Sequence, residues 1–404
     1  MNTASDDSRI EPAWNPIERF AFRAAFAYFA MFGVFSLLDA GPGGRRVWAA
    51  VNGPIVGWFG RSILGLTPPN DSGAAWTIAQ QIVSVAIAIA IAAVWTLVSR
   101  RVEYRRFHGW ARMVLRYYVA VIVLIYGGFK VINTQFPPLT LEQISQPLGT
   151  MAPMGLLWSF MGYSPVYTMF AGLGEVTGAF LLFFRRTTTL GALILIGVMS
   201  NVALMNYAYD VPVKLLSTNL LLASLVLVAP DAKRLFDVLV RNASSSPANQ
   251  SFAFPRWLAR VRRFLKPILV VGATCVPLAF SWRLQSLFRD PPLYGLYEVR
   301  EFTRNGVVAA PLVTDSTRWR AIIFSRPQTM SIRFMSDSLR TMSATVDTVA
   351  HNVVYRSRSG TNRRGEMRYE PTSDGLRFRG VDQADTIDVT LRRVDVEKTY
   401  RLVR

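Results

Sequence analysis

About seven stretches of roughly twenty apolar residues, separated by short links rich in arginine, constrain this chain more than any other feature of its sequence. A hydrocarbon core about 30 Å thick is crossed by about twenty residues of helix, and lipid offers no partner to an unpaired backbone group. Such stretches therefore fold as membrane-spanning helices. They lie at residues 20–38, 76–98, 113–133, 166–184, 190–207, 215–228 and 267–282. Asn15, Pro16 and Glu18 form a helix start ahead of the first, with Asn as cap, Pro at the first helical position and Glu at the third.

The formal net charge of +19 does not point to nucleic acid. The arginines sit between spans, where they orient helices and meet anionic head groups, and no single element carries the basic face that nucleic-acid binding requires. The one cysteine, Cys275, falls inside the last span and reads as a small buried hydrophobe. It leaves no disulfide, CxxC pair or Cys-ligated metal. His108 and His351 lie outside the spans, so a bis-His haem in the bilayer is excluded and no metal is expected.

Four regions follow. Residues 1–112 hold a polar tail, two spans and a Gly- and Pro-rich connection with Trp48, Trp58 and Phe59, expected to form short interfacial helices. Residues 113–235 form a four-helix transmembrane unit, in which the sparsely charged connection 135–165 is expected on or dipping into the membrane. Residues 236–283 are a basic linker and the last span. From residue 284 onward apolar and polar residues alternate with period two, as in Trp319–Phe324 and Thr386-Ile387-Asp388-Val389-Thr390-Leu391, which predicts an antiparallel β domain, a small barrel or sandwich. The fold class is thus a membrane all-α bundle followed by a β domain. The links between spans two and three, four and five, and six and seven carry most of the positive charge. The positive-inside rule makes their side cytoplasmic, with the N-terminus inside and residues 284–404 extracytoplasmic.

Glu175 stands near the middle of the fourth span, where an ionisable group is costly unless paired, protonated or hydrated. Lys130 lies toward the end of the third span, where a lysine taken alone snorkels to the interface. Asn206, Tyr209, Asp210, Lys214 and Asn219 gather at the same end of spans five and six. Lys130 and Glu175 are the candidate catalytic pair, and the other five the candidate ligand-binding set. Two cations and two carboxylates in one niche neutralise one another, and an apolar cavity with a few convergent polar groups suits an amphipathic ligand such as a quinone. Gly174 and Gly178 are a small-xxx-small pair for close helix packing, and Asn201 reads as interhelical glue.

The block 125–235, with Tyr126-Gly127-Gly128-Phe129-Lys130, Gly172-Leu173-Gly174-Glu175, Arg185-Arg186-Thr187-Thr188-Thr189 and Tyr209-Asp210-Val211-Pro212-Val213-Lys214, resembles the DoxX-like family of four-helix bacterial membrane proteins. The resemblance implies a multi-pass inner (plasma) membrane protein and a quinone-linked role, as a subunit of a membrane redox complex. With one cysteine and no haem or metal set, such a role requires a protein partner, expected at the outer face. The alternative is a non-enzymatic assembly or scaffold protein that recruits its partner through the β domain.

Overall fold

The computed structural model describes residues 14–40, 44–67, 73–101, 103–244, 256–284, 289–357 and 363–400. The N-terminal tail, the side chain of Trp48 and residues 245–255 of the basic linker lie outside this set. The helices are α1 (Pro16–Ala40), α2 (Gly44–Ser62), α3 (Ala74–Val98), α4 (Arg105–Val131), α5 (Leu141–Ser145), α6 (Pro153–Tyr163), α7 (Pro165–Leu182), α8 (Thr188–Ala208), α9 (Lys214–Val228), α10 (Ala232–Leu239), α11 (Arg256–Leu284) and α12 (Val396–Thr399). The strands are β1 (Gly295–Arg304), β2 (Val307–Val308), β3 (Trp319–Phe324), β4 (Thr329–Phe334), β5 (Leu339–Asp347), β6 (Asn352–Ser357), β7 (Arg364–Pro371), β8 (Gly375–Asp382) and β9 (Asp385–Arg393).

The chain divides into a helical unit, Met1–Val131 with Phe170–Val276, and a β unit, Ile132–Met169 with Pro277–Arg404. Among the described residues six helical segments are long and apolar enough to cross a membrane: Ala74–Val98, Arg105–Val131, Pro165–Leu182, Arg185–Ala208, Lys214–Leu239 and Arg263–Leu284. The helical unit accordingly wears its hydrophobicity outward as well as inward. Ile78, Ile82, Val85 and Ile89 stand exposed along α3, the surface a helix offers to lipid rather than to water.

Helix ends depart from the hydropathy boundaries. α1 starts where its capping signal places it, with the Asn15 side chain accepting from the Glu18 backbone N–H at 2.8 Å and the Glu18 carboxylate accepting from the Asn15 N–H at 2.9 Å. α2 is one helix of 19 residues running through Pro54, instead of several short pieces. α4 and α11 begin at Arg105 and Arg256, well ahead of their apolar stretches, because the basic turns before each stretch are helical too. Arg23 of α1 is buried and donates to the Tyr104 hydroxyl (2.8 Å) and to Thr96 (2.7 Å). Cys275 is exposed, contrary to expectation, because α11 buries only a small part of its surface.

In the β unit, β1 and β3 to β9 pair antiparallel in chain order, and β1 returns to pair with β9, closing an eight-stranded barrel; β2 adds a two-residue edge to β1. Closure removes the exposed strand edges that invite association. Period two decides the faces. Ile322, Phe324, Ile332 and Phe334 point into the barrel core with Trp319, Tyr355 and Phe378, while Ala321 and Ile323 of β3 form a second cluster with Leu141 of α5. The run Ala321-Ile322-Ile323-Phe324 is thus buried on both faces because α5 covers its outer side.

α5 is held there by polar contacts. Its Thr140 and Gln143 form a reciprocal capping box. Glu142 accepts from Ser325 (2.5 Å) and Ser331 (2.9 Å), and the Arg333 guanidinium donates to the Ser145 carbonyl (2.5 Å) and hydroxyl (3.0 Å). The connection 135–165, read from sequence as a membrane-lying loop, therefore folds with the barrel. A cavity of about 880 Å³ lies within this unit, lined by Leu139, Leu141, Tyr163, Tyr294, Arg393 and Glu397 among others.

Candidate functional site

α4 and α7 meet through a reciprocal arrangement of two glycines and two charges. A Cβ added to Gly127 of α4 would lie 2.9 Å from the Glu175 Cβ, and one added to Gly172 of α7 would lie 2.7 Å from the Lys130 Cβ. Each helix thus presents a glycine to the charged residue of the other, and in both the glycine precedes the charge by three residues. This is the register of an antiparallel pair. Only residues without a Cβ allow the backbones so close, and that closeness brings the Lys130 ammonium into a hydrogen-bonded ion pair with the Glu175 carboxylate.

The pair is sealed, with side chains 6% and 2% exposed. Removing either ion from water alone would cost several kcal/mol, and the opposite charge at hydrogen-bond distance offsets much of that. Lys130 is the penultimate residue of α4, so its charge also lies beside the helix's last carbonyls, the end that favours a cation. It does not snorkel. α4 ends opposite Gly172, near the middle of α7, and Lys130 therefore stands one turn from Glu175, within reach of its carboxylate. Neutralisation of the mid-span acid by a neighbouring span is thus present in the structure.

The remaining candidates form local sets. Asp210 adopts a left-handed conformation (φ 51°) in the turn between α8 and α9, where Val211 donates back to the Asn206 carbonyl at 2.9 Å. Its exposed carboxylate receives a 2.6 Å bond from the ammonium of Lys214, which is itself buried. Asn206 donates to the Ser217 hydroxyl at 3.0 Å, locking α8 to α9. The Asn219 amide donates to the Leu215 carbonyl (2.8 Å) and accepts from the Tyr28 hydroxyl, to which Gln81 also donates. Tyr209 is half-buried, with no hydrogen bond to its hydroxyl among the described residues. Asn206 thus donates to the neighbouring helix and Asn219 donates within α9 while accepting from α1, whereas Lys130 and Tyr209 keep donors to spare.

Two polar clusters escape the sequence reading. Tyr28 and Gln81 join α1 and α3 to α9 through Asn219. Toward the start of α4, Arg112 donates to Asp231 (3.2 Å) and to the Leu227 carbonyl (2.9 Å), and Thr189 donates to the same carboxylate at 2.7 Å. Their separation along the chain hides both. The one signal available was that Gln81, Asn219 and Asp231 interrupt or border apolar runs. Gly178 packs as expected, against Leu195 and the Gly191 carbonyl of α8. Asn201, expected between helices, is instead exposed on α8. No group of three or more His, Cys, Asp or Glu side chains is placed to hold a metal ion among the described residues.

No family model matches the chain. No solved structure matches it. It is 36% identical over 125 residues to a protein of Bacillus subtilis (strain 168) described as uncharacterized protein YwoB; the matched stretch is 30% of this chain and 78% of that relative.

Proposed function

The chain belongs to the family of Bacillus subtilis YwoB, and we propose, from the enclosed Lys130–Glu175 pair and the resemblance carried by residues 125–235, that it is a DoxX-like integral membrane protein acting as the quinone-linked subunit of a membrane redox complex. The shared stretch makes up most of the relative and under a third of this chain, so the family core is a small unit to which this chain adds. In our reading that core is the four-helix part around Lys130 and Glu175. α1 completes seven spans, the N-terminus lies in the cytoplasm, and the barrel lies outside the bacterial inner membrane.

The observation that carries the reading is the sealed Lys130–Glu175 pair at the point where α4 stops opposite the middle of α7. Ionisable residues and interrupted helices at membrane depth are expensive, and they recur where a ligand or proton is handled. As ammonium and carboxylate the pair carries no net charge in lipid, and a proton that it gives to a ligand must be replaced as it leaves. A quinone supplies a two-electron, two-proton couple when bound. Its carbonyl oxygens need donors, and Lys130, with three protons for one carboxylate, and the Tyr209 hydroxyl are suited to provide them. A partner subunit carrying the redox centre supplies the electrons.

The test is to purify the full chain in mild detergent, extract its lipids and measure bound quinone, for the native protein and for Glu175→Gln. The reading expects quinone in stoichiometric amount in the native protein, and loss of quinone-dependent turnover of the intact complex in the variant. Absence of quinone together with an unchanged complex in Glu175→Gln overturns it. A scaffold role is favoured by one observation, the exposed apolar residues Val307 and Val308 of the edge strand β2 with Leu312 and Val313 just after it, a surface suited to a protein partner. That role predicts that changing these four residues to serine releases the partner while Glu175→Gln does not.

A further inference from the structure

α8 lies within a candidate membrane span, and one side of it has no partner among the described residues. Leu190, Leu193, Gly197, Ser200, Asn201 and Leu204 are its exposed residues along that side. Every peripheral helix exposes a stripe with this spacing, so the spacing itself says nothing. The content of the stripe does. α3 exposes Ile78, Ile82, Val85, Ile89 and Val94, and its exposed Thr96 turns its hydroxyl back to the Ala92 carbonyl. Among the described spans, Asn201 is the Asn or Gln side chain that is exposed: Gln80 and Gln81 are half-buried, and Asn206 and Asn219 are buried.

An amide has two donors and an acceptor that hydrocarbon cannot satisfy. Asn201 has no hydrogen bond among the described residues, whereas the hydroxyl of Ser200 turns back to the Ile196 carbonyl at 2.6 Å. One turn earlier, a Cβ added to Gly197 would meet nothing within 4 Å, so the helix surface there is open to close approach by another backbone. These observations lie on one face.

We infer that this face of α8 is the contact between two copies of the chain, related by a two-fold axis along the membrane normal, with Asn201 of each bonded to Asn201 of the other. The amide's own chemistry favours a second copy. Both copies insert with the same orientation, so the axis brings identical residues to identical depth, and an amide is complementary to itself as donor and acceptor. A lone Asn on such a seam also fixes its register, because any slip leaves two amides in lipid. A different partner protein would need a polar group of its own at that depth.

The full chain has one native cysteine, which makes the test direct. In a Cys275→Ser background, Leu204→Cys on the seam and Ile89→Cys on the exposed face of α3 are each oxidised in native membranes and resolved by denaturing electrophoresis. The inference expects a covalent dimer of twice the chain mass for Leu204→Cys and none for Ile89→Cys. In reconstituted vesicles at fixed protein-to-lipid ratio, Asn201→Leu should lower the dimer-to-monomer ratio about tenfold, and Asn201→Gln should retain part of it. A seam cysteine that gives no dimer, equal cross-linking at both positions, a cross-link to a different protein, or a dimer ratio unmoved by Asn201→Leu overturns the inference. Quinone content plays no part in these measurements, so the outcome is independent of the reading given under Proposed function.

Discussion

The helical unit and the barrel both contain charge pairs, but they place them oppositely. In the barrel most lie on the outward positions of the strands. Arg377 and Arg379 share Asp388, Arg392 meets Glu298 and Arg320 meets Asp337, all with at least one partner well exposed. The helical unit places Lys130 and Glu175 where neither side chain reaches solvent. Water screens the first kind and makes each of little consequence. Nothing screens the second, so its value and its cost are both large. The contrast teaches that counting ion pairs says little about either unit; what encloses a pair decides what it does.

The sharpest way to break this comparison is to remove one partner of the sealed pair. Glu175→Ala leaves a buried ammonium unanswered and should destabilise the helical unit by about 3–5 kcal/mol. Its melting temperature in detergent should fall steeply, while hydrogen exchange in the barrel strands stays as in the native chain. The barrel contains one pair that crosses the divide: Arg363 and Asp382 are side chains 11% and 3% exposed, joined by two bonds, one of them 3.0 Å. Asp382→Asn should cost about 3 kcal/mol by the same logic, read as faster exchange in β6, β7 and β8. If it costs no more than a surface pair, enclosure is not the deciding variable.

Gly172→Ala tests the same site by shape instead of charge. The added methyl would lie 2.8 Å from the Gly127 carbonyl oxygen, so α4 and α7 must separate, at about 1–3 kcal/mol. Gly197→Ala, in open space on α8, should leave the fold unchanged. The smallest effect belongs to Asp388. Its hydrogen bond from Arg377, with that from Arg379, holds its carboxyl below the usual carboxylate range despite partial burial. A depressed pKa contributes stability above the ordinary carboxylate pKa that is lost as the pH falls through the folded value. Asp388→Asn should therefore cost well under about 1 kcal/mol at neutral pH and flatten the acid limb of barrel unfolding slightly.

The sequence disclosed these features unequally, for physical reasons. Strands were legible because period two in segments such as Arg364–Pro371 is a property of the residues themselves. Spans were legible for the same reason, but hydropathy reports where lipid begins and not where a helix does, so α11 starts 11 residues ahead of Pro267. Glu175 announced itself as an acid inside an apolar run. The depth of Lys130 did not, because it depends on where α4 stops relative to α7, and only the matched glycine-to-charge spacing on the two helices hinted at it. Tyr28 and Gln81 were invisible as partners of Asn219, since nothing local records a contact among three distant helices. The connection 135–165 misled because its apolar residues serve the barrel: Leu141 packs on Ile323, where a membrane was the simpler expectation.

A double-mutant cycle on the full chain in detergent tests the central claim, that Lys130 and Glu175 act as one enclosed unit, most directly. Lys130→Met and Glu175→Gln are made singly and together, and unfolding is followed in the helical unit. Each single variant should be strongly destabilised and the double variant should regain most of the loss, with a coupling of about 2 kcal/mol or more. Losses that simply add would mean that the two side chains do not answer one another, and would contradict the account.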